Sequence, residues 1–168
     1  TFPIREMAKR GWIDDKSNLG VLESELHRFF ETDPLGIAAK RSNEHEPLTK
    51  HQIAWLYRGK QLAGAMCDVP PYSKRKLHSA LEPLRQLLHT PEETAQVSRI
   101  LSAAGIRFMV VEGLPGLKLD GVCFWLDKAP VIALSMRFDR IDNFWFVLRH
   151  EIEHVLRGDA KGVGINKV

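Results

Sequence analysis

Apolar positions recur at helical spacing through the first hundred residues and then give way to short continuous runs. FPIREMAKRGWI, residues 2–13, predicts a short helix closed by Gly11. Between Asn18 and Thr32, Leu22, Leu26, Phe29 and Phe30 fall three and four residues apart, the spacing of one helix face. Residues 33–48 hold two prolines, a glycine and many charges, which predicts a loop or linker. Thr49 is placed to cap a helix reaching about Met66, with Ile53, Leu56, Tyr57 and Leu62 as its apolar contacts. CDVPPYS breaks that helix, and Ser73 can cap the next, residues 74–89. TPEE then offers Thr90 as cap, Pro91 as first helical residue and two acids in the first turn of a helix ending at Gly105.

After Gly105 the pattern changes. RFMVVE (107–112), GVCFWL (121–126) and VIALSM (131–136) are short runs rich in β-branched and aromatic residues. Their close spacing predicts a small meander-like sheet, with GVCFWL as the candidate edge strand and an interior place for it as the equal alternative. FDRIDNFWFVLRHEIEHVLRG returns to helical spacing, with Asp139 and Asp142 placed as cap and third-position acid and Gly158 as the stop. Several helices, a small sheet and one last helix make an α+β arrangement.

Composition narrows the function classes. A chain of 168 residues can bury a core without disulfides or metal staples. A formal charge of +3 is too small to mark a nucleic-acid binder, and the Lys74-Arg75-Lys76 run reads as a solvated helix start. Cys67 and Cys123 have no paired spacing, so each is expected to be a small buried apolar residue in a reducing cytoplasm. No apolar run approaches the length of a membrane span, and no signal peptide opens the chain. The first residue is Thr1 rather than Met, which is expected of a fragment.

The last helix carries the candidate chemistry, His150-Glu151-x-x-His154. On a helical wheel Ile141, Phe144, Trp145, Leu148, Ile152, Val155 and Leu156 share one broad side. His150 and His154 lie opposite, one turn apart, where both imidazoles can bind one ion. Glu151 is expected at the margin of the histidine face, able to reach a water beside the ion without taking a ligand position, as a general base requires. Against this stands the wet side of an ordinary amphipathic helix. Phe146 and Val147, near the histidine side, predict instead a helix covered almost all round.

PVIALSMRFDRIDNFWFVLRHEIEH strongly resembles the core of the ImmA/IrrE family of metallo-endopeptidases, where a strand and short turn lead into the HExxH helix. The likeness extends back through LRQLLHTPEETAQVSRILSAAGIRFMVVEGLPGLKLDGVCFWL and covers roughly residues 46–158. FPIREMAKRGWI is similar to the segment that follows an XRE-type helix-turn-helix in regulators carrying this peptidase domain. The resemblance implies a zincin-like fold, residues 1–45 as a helical extension and linker, and 46–168 as a C-terminally incomplete peptidase domain. It further implies a single zinc held by His150 and His154, Glu151 as general base and acid, and cleavage of a partner XRE-type repressor.

DNA contact would come only through a helix-turn-helix outside this chain, and an oligomer is possible. Family members draw a third, acidic ligand from a helix well beyond HExxH. Here Asp159 is the one acid after His154, so the chain by itself is expected to lack activity. Glu153 stands where relatives carry a small residue. The competing expectation is a catalytically inactive sensory or oligomerisation domain of an XRE-family transcription factor or antitoxin.

Overall fold

The structure, a computed structural model, describes residues 2–14, 18–30, 48–90, 93–136 and 140–158. The fold is α+β: helices α1 (Ile4–Lys9), α2 (Leu19–Phe30), α3 (Lys50–Ala65), α4 (Lys74–Gln86) and α5 (Gln96–Ala103), strands β1 (Arg107–Val110), β2 (Gly121–Leu126) and β3 (Ala129–Leu134), then α6 (Ile141–Arg157). The linker expected over residues 33–48 lies outside the described residues but for Leu48, which is buried. Among the described residues no helix is long and apolar enough to cross a membrane.

The chain divides into two compact units. One comprises Thr1–Arg58 with Leu114–Lys118, the other Gly59–Gly113 with Leu119–Val168. In the first unit, aromatic rings supply much of the contact. Phe30 meets Phe2, Phe29 and Tyr57 at centroid separations of 4.8, 5.0 and 4.9 Å. Thr49 and Gln52 cap α3 reciprocally: Thr49 Oγ1 accepts from the Gln52 N–H, and Gln52 Oε1 from the Thr49 N–H. Ile53, Leu56 and Tyr57 are buried as expected, together with Ala54 and Trp55.

The second unit holds the sheet. Its order is β1-β3-β2, with β1 parallel and β2 antiparallel to the central β3. This replaces the expected meander. Asp127 and Lys128, with φ of 50° and 66°, form the tight reversal that pairs Leu126 with Ala129. Residues 111–120 separate β1 from β2, and β1 pairs on the far side of β3. β2 does lie at one end of the sheet, as GVCFWL was expected to. Phe108, Ile132 and Cys123 are register partners across the three strands and enter one apolar cluster with Phe144, Leu148 and Ile152 of α6.

Several local expectations change. Ser73 caps α4 as read, its hydroxyl accepting from the Lys76 N–H. The helix expected from Thr90 begins instead at Gln96 behind Ala95, without a side-chain cap, and Pro91 lies outside the described residues. Thr90 closes the 3-10 turn Leu87–His89, giving its N–H to the Leu87 carbonyl. Asp139 also lies outside the described residues, and Arg140 occupies the cap position of α6. Cys123 is buried, but Cys67 is exposed, because the CDVPPYS segment carries it away from the core. Gly105, at φ +85°, lets α5 end against the chain at Tyr72, where a Cβ would lie 2.4 Å from the Tyr72 Cα.

Candidate metal centre

α6 packs on β2 and β3, and its buried arc is Phe144, Val147, Leu148, Glu151, Ile152 and Val155. Gly158 ends it in the left-handed region, its N–H donating to the carbonyls of His154 and Val155. The apolar side is not the one the wheel suggested in full. Ile141 is 44% exposed and Phe146 67% exposed, so Phe146 does not cover the histidine side; Trp145 and Leu156 are partly buried. Phe146 points away from the arc that the sheet and α4 cover, whereas Ile141 shares the direction of that arc but is the first residue of the helix.

Glu151 sits within that arc rather than at its edge, with 0% of its surface exposed. Neither carboxylate oxygen has a hydrogen-bond partner among the described residues. Burial in apolar surroundings pushes its carboxyl up to about 8, so without a nearby cation the group is held as the neutral acid. The side chain fits because residue 121 is glycine. A Cβ there would lie 2.5 Å from Val147 Cγ1, 3.0 Å from Leu134 Cδ2 and 3.2 Å from Glu151 Oε1. Ser135 anchors the entry to β2, its hydroxyl donating to the Leu119 and Asp120 carbonyls and its N–H to Asp120.

His150 and His154 come together as their four-residue spacing demands. Their Nε2 atoms are 2.9 Å apart and their rings cross at 80°, both side chains partly buried. Two nitrogens on one tetrahedral zinc, each at about 2.0–2.1 Å, stand about 3.3 Å apart, so a small opening of the pair admits the ion. Desolvation, then His154 and Arg157, holds His150 below its ordinary pKa and favours the neutral imidazole that a metal requires. Glu153 is drawn away to Arg149, which donates to it through Nε and Nη2 at 3.1 and 2.9 Å.

The donor set is therefore two imidazoles with a buried carboxyl on the same helix. Among the described residues no group of three or more His, Cys, Asp and Glu could hold a metal, and Asp159 lies outside them. Gly121 and Ser135 were missed by sequence reasoning. The signal for Gly121 was its place at the head of the β-rich run GVCFWL. Compared with protein-family models, curated proteins and solved structures, the chain matches none.

Proposed function

We propose that this chain is a zinc-dependent endopeptidase-like domain of a bacterial transcriptional regulator, acting in the cytoplasm on a partner XRE-type repressor. The observation that carries the proposal is the convergence of His150 and His154 Nε2 on one helix with a buried Glu151 whose carboxylate has no hydrogen-bond partner among the described residues. The two histidines would hold zinc, with a third donor from outside the described residues. When bound, zinc would supply Lewis acidity, polarising a peptide carbonyl and acidifying water. A divalent charge nearby also favours ionised Glu151. The carboxylate could then take a proton from water and return it to the leaving amine. Gly121 holds Glu151 against β2, and the position of β2 at the end of the sheet suits a substrate lying alongside as an added strand.

The second reading is a sensory or oligomerising domain, in a transcription factor or antitoxin, that keeps the helix without catalysis. The shortage of a third donor among the described residues favours it. Incubating the full-length protein with candidate XRE-type repressors separates the two. Zinc-dependent cleavage that is lost in Glu151→Gln supports the peptidase. Zinc binding with no cleavage of any repressor supports the second reading.

A further inference from the structure

Between α6 and α4 with the 3-10 turn that follows it lies a cavity of about 100 Å³, on the side of α6 opposite His150 and His154. Leu84, Leu148 and Ile152 are its buried walls, Leu81 and Trp145 are partly buried, and Leu88 on the open side is 46% exposed. Arg85 of α4 and Arg149 of α6 complete the lining, and no carboxylate belongs to it. An apolar floor thus meets two guanidinium groups, one from each helix. We infer that the cavity binds a small monocarboxylate with a compact apolar body, the body between the helices and the carboxylate facing Arg85 and Arg149.

Size sets the body. An enclosed apolar cavity of about 150 Å³ takes a benzene ring. This smaller one, open on one side, suits a single ring or a short branched chain whose polar end stays outside. Charge sets the head group. Arg85 and Arg149 are each paired with an acid of their own helix, Glu82 and Glu153, at 3.0 and 2.9 Å, but neither acid lines the cavity. All four side chains are well exposed, and exposed pairs of this kind are weak. Nη1 of each arginine makes no hydrogen bond among the described residues, so it can donate to a further carboxylate. An amine at the same place would face two cations. No residue of the cavity belongs to the His150, Glu151 and His154 site, so the inference stands apart from the zinc reading.

Calorimetric titration of the protein with phenylacetate and with isovalerate tests this. Phenylacetamide and phenethylamine serve as the neutral and cationic counterparts of the first. The expected result is saturable binding of at least one carboxylate, with phenylacetate, where it binds, at least about tenfold tighter than its two counterparts. The indole resonance assigned to Trp145 through Trp145→Phe should shift on binding. Arg85→Gln combined with Arg149→Gln, both at exposed positions, should erase the preference for carboxylate while circular dichroism shows the fold kept. Failure of both carboxylates to bind overturns the proposal. So does equal binding of phenylacetamide, or a carboxylate preference that survives the double substitution. A dimer dispersed by Leu88→Glu would make a second copy the occupant and overturn it as well.

Discussion

Glu151 lies against the bare Cα of Gly121, so close that a Cβ at 121 would come within 3.2 Å of its Oε1. This contact between helix and strand ties the packing of α6 to the position of the carboxyl. Gly121→Ala should therefore cost about 1–3 kcal/mol by overpacking, read from denaturant melts. The nearest obstruction is Val147 Cγ1 at 2.5 Å, so adding Val147→Ala should recover part of the loss. Strictly additive losses in the double variant would show that the strain lies elsewhere.

The buried carboxyl also makes a statement about pH. With metal removed by a chelator, the folded chain keeps on Glu151 a proton that the unfolded chain releases between about 4.5 and about 8. Stability from this group therefore falls as pH rises through that window, with a limiting slope of about 1.4 kcal/mol per unit. His150 works oppositely, since its folded pKa lies below 6.5; its contribution grows with pH and is complete above that value. From pH 6.5 to 8 the fall due to Glu151 is thus unopposed by His150, and Glu151→Gln should flatten it. Chelated parent and variant with parallel stability profiles across that range would count against a buried, unpartnered carboxyl.

The orientation of α6 predicts unequal costs on its two sides. Ile152 is buried beside Trp145 and Leu148, facing Leu81 and Leu84 of α4 across a cavity of about 100 Å³. Ile152→Ala should cost about 2–5 kcal/mol. His150→Ala should cost much less without metal, because its partly buried ring packs beside His154 rather than in the core. A larger loss for His150→Ala would mark it as a structural residue.

How much of this could be read from the sequence depended on the range of the interaction. Local signals carried well: the caps at Thr49 and Ser73, the stops at Gly105 and Gly158, and the face shared by His150 and His154. Sheet order did not, because the parallel pairing of Phe108 with Ile132 is a tertiary choice that no local run encodes. The place of Glu151 was within reach. At about 100° per residue it falls about 20° from Phe144, well inside the apolar arc. The chemistry of the motif drew it toward the histidines instead. Phe146 falls about 160° from Phe144 by the same count, which agrees with its exposure. Gly121 could be recognised as a contact only once α6 was seen packed on β2.

The central claim is that His150 and His154 act together as a divalent-metal site. Competition with a chromophoric zinc chelator measures this most directly, in the parent chain and in His150→Ala, His154→Ala and Glu151→Gln. Each histidine substitution should lower zinc affinity at least about tenfold, while Glu151→Gln, which removes no ligand, should stay within a few-fold of the parent. Histidine variants that hold zinc as tightly as the parent would contradict the account.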